Sequence, residues 1–346
     1  MNCFYMIFIN SKLFTIAVKI LILLILGLLF SIQIFAKSPY NKLNDKLDNL
    51  NVVYLNNKIR VYYSNDLNNI DFIVDRVDIN RNNIPDYVEN IAIQANATLD
   101  VLNHLGFINP LESQRYKGVA QFIDIHLISV KGNGVAYEMP AMWGNKKSKQ
   151  DKIALLVVIR NNIENFPGDY WTTVTHELFH LYQYGYSQFK GGWYLEGMAN
   201  WAERSLRAGA VGRNYNQKLP QTQAELEKIY NTPYNHLWHR LAVLSDKTDG
   251  TMKLPQSLLS QTYVDGSKVF KDDKLRGYKF MRRILENLTI ASNEISIQNN
   301  RDPYYWAEKD QRSALNRPII LRVIQQTMHE FGMNKTSEEK NFLQLK

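Results

Sequence analysis

The stretch "THELFHLYQYGYSQFKGGWYLEGMANWAE", Thr175 to Glu203, sets two histidines four apart and places a glutamate beyond a pair of glycines. Val174, Leu178 and Leu181 form one apolar stripe, so the first half reads as an amphipathic helix. His176 and His180 then project from one face, about 40° apart around the axis, and both imidazoles can reach a single metal ion. Glu177 is turned away by about 100°, off the coordination point but within reach of a water on the open side. Gly191 and Gly192 make a short turn into a second helix, running from about Trp193 to Arg207. There Glu196, Asn200 and Glu203 fall at i, i+4 and i+7 among Trp193, Leu195, Met198, Ala199, Trp201 and Ala202. Two His and one Glu are a standard ligand set for catalytic zinc, with the fourth position left to water. Glu196 is therefore the expected third ligand for Zn2+, and Asn200 and Glu203 are the expected acceptors for the ligand His N–H groups.

Upstream of this stretch the pattern is mainly strand. "KIRVYYS", Lys58 to Ser64, is β-branched and aromatic. "QFIDIHLISV", Gln121 to Val130, alternates, which puts Ile123, Ile125 and Leu127 on one face and Asp124 and His126 on a solvent face. "KIALLVVIR", Lys152 to Arg160, is apolar throughout and reads as a strand covered on both faces. A helix is expected from near Pro85 to near Gly106. Another runs from Tyr170 to about Tyr184, capped by Asp169 and stopped by Gly185. Downstream the segments are helical, the last opened by Pro318 and closed by Gly332. Strands first and helices later predict an α+β fold. Its N-terminal lobe, 37–190, holds a mixed sheet and the active-site helix; a helical C-terminal lobe, 191–346, supplies the third ligand.

"DINRNNIPDYVE" sets Asp78, Asn80 and Asn82 at positions 1, 3 and 5, the Ile84 carbonyl at 7, Asp86 at 9 and Glu89 at 12. That is the oxygen order of a Ca2+ loop leading into a helix. Asn83 stands where such loops carry glycine, and Asn tolerates the left-handed backbone better than most residues. A polar turn with a helix cap is the alternative.

The 346 residues are 45% hydrophobic and 21% charged, a composition that excludes a disordered chain. Lys12 and Lys19 precede a charge-free run from Ile20 to Ala36. This predicts a signal peptide over 1–36, with Ile34 and Ala36 at the cleavage positions, and export to the periplasm or exterior; an uncleaved anchor is the other reading. The only cysteine, Cys3, would leave with that segment, so no disulfide is expected. Losing Lys12 and Lys19, with no acid beside them, lowers the net charge from +8 to +6. Basic and acidic residues are interleaved, which argues against nucleic acid as a partner.

"HELFH" followed by "WYLEGMANWAE" resembles the gluzincin branch of zinc metallopeptidases, and the loop from Asp78 is similar to one in secreted bacterial metallopeptidases. The resemblance implies a zincin-like scaffold, His176, His180 and Glu196 as zinc ligands, and Glu177 as general base. The implied reaction is hydrolysis of a peptide or protein substrate by a zinc-bound water. Aminopeptidases of this branch hold the substrate amine through a G-x-M-E-N segment, which this chain lacks; "AYEMP" around Glu138 is a distant match. The expected action is therefore on internal bonds. Tyr234, His236 and His239 are the candidates for an oxyanion donor, Tyr234 preferred. His104, His126 and His329 are expected on solvent faces without a role. The competing reading is an exported protein that keeps zinc and calcium for stability alone. Glu177 speaks against it, because a structural site has no use for a base.

Overall fold

The computed structural model describes residues 50–141 and 153–346; the expected signal segment lies outside the described residues. β1 (Val52–Asn56) and β2 (Ile59–Tyr63) form a hairpin whose turn begins at Asn57, with φ at 57°. β3 (Phe122–Ile128) and β5 (Ala154–Arg160) lie parallel to β2 and to each other, with Ile59 opposite Ile123 and Phe122 opposite Ala154. β4 (Gly134–Ala141) pairs antiparallel with β5, so the five-stranded mixed sheet runs β1-β2-β3-β5-β4. α1 (Asp86–His104) fills the crossover between β2 and β3 and is buried along most of its length.

Nine more helices follow the sheet among the described residues, in keeping with an α+β order. α2 (Thr173–Tyr186) carries the two histidines and α3 (Gly192–Ala202) the glutamate. α2 runs through the interior, against β4, β5, α1 and α3. Leu178, Phe179, Leu181 and Tyr182 on it are fully buried, and the Phe179 ring meets those of Phe107 and Trp201 at 6.1 and 6.0 Å. Burying each such side chain contributes about 1.5–3 kcal/mol, so packing fixes this helix more than propensity does. α4 (Gln223–Tyr230) and α5 (Leu237–Ser245) come next, and α5 presses Trp238 onto α3. α6 (Gln256–Leu259), α7 (Tyr278–Gln298), α8 (Glu308–Gln311), α9 (Arg317–Glu330) and α10 (Ser337–Phe342) complete the described chain. None of these helices is long and apolar enough to cross a membrane.

Several local expectations change. Asp124 and His126 are buried, so β3 has no solvent face. Arg60 Nε and Nη2 donate to both Asp124 oxygens at 2.6 and 2.8 Å, and Tyr62 packs on His126 with ring centroids 4.7 Å apart. Burial, then the Arg60 charge, push His126 down to about 3, so it is neutral, a core residue and not a surface one. Asp169 does not cap α2, which starts at Thr173; its carboxylate pairs with Lys271 at 2.9 Å. Gly185 does not stop α2 either. It lies inside the last turn, where a Cβ would sit 3.0 Å from that of Ser113.

Candidate metal centre

One turn of α2 separates His176 from His180, and both are buried, with ring centroids 4.9 Å apart. α3 lies against α2 so that Glu196 faces the pair. Its Oε2 is 3.1 Å from His176 Nε2 and its Oε1 is 3.6 Å from His180 Nε2. His176, His180 and Glu196 form the one group of three such side chains among the described residues able to hold a metal ion. Zinc at about 2.0–2.1 Å from each donor in a tetrahedron sets donors about 3.3–3.4 Å apart, so the observed spacings fit that ion with little adjustment.

The opposite ring nitrogens are tied down. His176 Nδ1 is 2.7 Å from Glu203 Oε1, and His180 Nδ1 is 2.8 Å from Gln183 Oε1. Each Nδ1–H donates to its oxygen, which leaves Nε2 of both rings facing Glu196 and able to bind a metal. Glu203 is itself held by the Thr172 hydroxyl at 2.8 Å and by Arg207. Gln183 was missed in the sequence, although its place three residues after His180 puts it on the same helix face. Asn200, expected to serve a ligand histidine, does not: its Oδ1 accepts from His239 Nε2 at 3.0 Å. Glu203, one turn further along, takes the place at His176 that Asn200 was expected to share.

Burial disfavours a charged His176, but Glu196 and Glu203 outweigh it and raise the imidazole to about 10. Burial likewise opposes ionisation of Glu196 and Glu203; His176, with His180 at Glu196 and Arg207 at Glu203, holds both carboxyls below their ordinary range. Metal binding must then expel a proton from His176 Nε2. Glu177 behaves differently. Burial raises its carboxyl, and the charges of Glu196 and Glu203 oppose the pull of the two histidines. It touches the start of β4, where a Cβ on Gly134 would stand 2.7 Å from its Cγ and 2.9 Å from its Oε1. Only glycine allows that approach, a requirement invisible in the sequence because Gly134 lies 43 positions away on a different element.

Tyr234 precedes α5. Asn235 and Trp238 anchor this turn by donating to the Trp193 carbonyl at 2.9 and 3.0 Å. The Tyr234 ring is 6.1 Å from that of His176, and its hydroxyl is close enough to the Glu196 carboxylate to feel its charge. Burial, then Glu196, push the phenol up to about 12, so it stays a donor. His236 and His239 are occupied elsewhere, at the Lys218 carbonyl and at Asn200. Glu138 lies on β4, bound by Lys190 at 2.8 Å, Arg115 at 3.3 Å and Gln311 at 2.8 Å. Burial opposes its charge, but Arg115 and Lys190 prevail and hold it ionised, so it is already matched by two cations and poorly placed to take a substrate amine.

In the loop before α1, Asn80 and Asn82 donate to the two Glu89 oxygens at 2.9 and 2.8 Å, and Asp78 accepts from the N–H groups of Asn82 and Asn83. Asn83 has φ at 69°, the left-handed backbone anticipated there. Ile84 donates its N–H to Asn82 Oδ1, and both Asp86 oxygens accept from the Ile79 N–H. Asp78, Asn80, Asn82 and Glu89 are thus brought together, while Asp86 braces the loop backbone. Burial, then Glu89, Asp78 and Asp75, raise the Asp86 carboxyl.

Compared with known proteins, the chain matches no family model, no curated protein and no solved structure. A functional reading therefore has to come from the side chains themselves.

Proposed function

We propose that this chain is an exported zinc-dependent endopeptidase of the gluzincin type on a zincin-like scaffold. The observation that carries the reading is the convergence of His176 Nε2, His180 Nε2 and the Glu196 carboxylate, with buried Glu177 beside them. Held by these three groups, a Zn2+ ion would supply Lewis acidity to polarise a peptide carbonyl and acidify water. Glu177, its basicity raised by burial, takes the proton of the attacking water and passes it to the leaving amine. Tyr234 donates its hydroxyl proton to the oxygen on which charge develops. Glu203 and Gln183 keep the rings aimed. The ionised Glu138 is already paired with Arg115 and Lys190, which favours internal bonds over N-terminal residues. Export is supported by the apolar run from Ile20 to Ala36.

The test is metal content together with cleavage of an unfolded protein such as reduced casein. Purified protein should carry about one zinc per chain, and Glu177→Gln should keep it while losing about 100- to 10,000-fold in rate. Undiminished cleavage by that variant removes the mechanism. No cleavage by the wild type, with unfolding on zinc removal, favours a structural zinc instead.

The loop from Asp78 to Glu89 is proposed to hold a structural Ca2+. Calcium at about 100 times its dissociation constant should add about 2.7 kcal/mol of stability. Asp78→Ala should abolish the response, and a wild-type melting temperature unmoved by calcium rules the site out.

A further inference from the structure

Beside the metal centre, on the far side of Tyr234, lies an open cavity of about 310 Å³. Arg204, Arg207 and Arg213 line it, with Asn200, Tyr234 and His239, and no acidic residue is in its wall. Arg207 is matched by Glu203. Arg204 donates to the carbonyls of Ala208 and Gly209, while its buried Nε has no partner. Arg213 is exposed and pairs with no acid among the described residues. Asp272, a second acid whose charge acts on Arg204, is itself engaged by the Gly209 and Lys274 N–H groups. Burial, then repulsion from Arg207, lower the Arg204 pKa against the opposing pull of Asp272 and Glu203.

The hydrogen-bond polarity points the same way. Gly212 N–H donates to His239 Nδ1, which puts the ring proton on Nε2 and assigns it to Asn200 Oδ1. The Asn200 amide is left with its Nδ2 donors. Arg213 and Asn200 Nδ2 thus offer the cavity donors only. We infer that this cavity is the specificity pocket of the enzyme and takes a carboxylate of the peptide substrate. The inference rests on the peptidase reading of the adjoining site. Arg204 follows Glu196 by eight residues, through the end of α3 at Ala202 and into a 3-10 turn (Glu203–Ser205), a rise of about 12–13 Å, and an extended peptide advances about 3.3 Å per residue. An acidic side chain within about four residues of the cut bond reaches it, as does a nearby C-terminal carboxylate.

The experiment uses full-length, zinc-loaded Glu177→Gln protein and fluorescein-labelled ten-residue peptides of Ala, Gly and Ser around one Leu. These differ only in Glu or Gln two positions from the Leu, and each is made with a free or an amidated C-terminus. Binding is read by anisotropy. A carboxylate peptide should bind about tenfold tighter than its neutral partner, the worth of one charge-assisted hydrogen bond. A preference that follows Glu assigns a side-chain carboxylate; one that follows the free terminus assigns a C-terminal one. Arg213→Gln should abolish the discrimination, Arg213→Lys should restore most of it, and Arg213→Glu should shift preference to a Lys peptide, which a merely structural role would not produce. Equal binding of all four peptides overturns the pocket. Wild-type protein on the same peptides separates the two readings: cleavage without charge preference leaves the peptidase and removes the pocket. Selective binding without cleavage does the reverse.

Discussion

Under the proposed mechanism, Glu177 depends most directly on Gly134, where any Cβ would collide with its carboxylate arm. Gly134→Ala should push Glu177 off its position by several tenths of an ångström or more, and misplacement on that scale costs on the order of a hundredfold in rate. Zinc content should remain near one per chain, because the atoms nearest a Cβ at Gly134 all belong to Glu177; parallel zinc and cleavage assays check this, and loss of zinc would contradict it. The histidines, Glu177, Glu196 and Glu203 were legible in the sequence because helical spacing alone sets their faces. Gly134 was not, since strand-to-helix contacts leave no period to read. Asn200 shares the stripe of Glu196 and Glu203, yet serves His239. The stripe gives a direction, and the partners packed against each turn decide what its members bond.

The contact between α3 and α5 positions both Glu196 and Tyr234, and it depends on Gly197. A Cβ there would stand 2.4 Å from Trp238 Cδ1, in a ring with no exposed surface. Alanine gains about 1 kcal/mol in helix propensity, but overpacking a rigid contact costs about 1–3 kcal/mol or more. Gly197→Ala should therefore lower stability in a denaturant titration and weaken zinc binding; a stabilised variant would show that Trp238 yields. Elements with a strong apolar period were legible, including α1, α2 and β5. β4 was not anticipated as a strand. "GVAYEMPA" carries Gly and Pro and does not alternate cleanly, and it forms a strand because β5 beside it supplies the pairing. The burial of β3 was hidden for another reason: Asp124 reads as a surface residue until Arg60, 64 positions earlier, neutralises it.

For the molecule as a whole, the metal centre predicts how the metal-free protein responds to pH. His176 is raised from 6.5 to about 10, so its contribution is complete below 6.5 and is lost as pH climbs through 10. Glu196 and Glu203 are lowered from 4.5, so theirs is complete above 4.5 and is lost as pH falls through the depressed values. Chelator-treated protein should be best supported by this cluster between pH 4.5 and 6.5. Zinc affinity should instead rise with pH, because His176 Nε2 must release its proton. Denaturation and zinc titrations across pH measure both, and parallel trends would contradict the assignment. The α+β order was legible because strand patterns precede helical ones; the arginine-lined cavity was not, since Arg204, Arg207 and Arg213 meet only after the chain turns back beside α5.

Glu203 touches His176 with one oxygen and Thr172 and Arg207 with the other. A single carboxylate therefore stands in the outer layer of the metal centre and against the wall of the neighbouring cavity. Any anion that draws on Arg207 changes how strongly Glu203 polarises His176. By reciprocity, whatever factor an acidic peptide applies to zinc affinity, zinc applies to the affinity for that peptide.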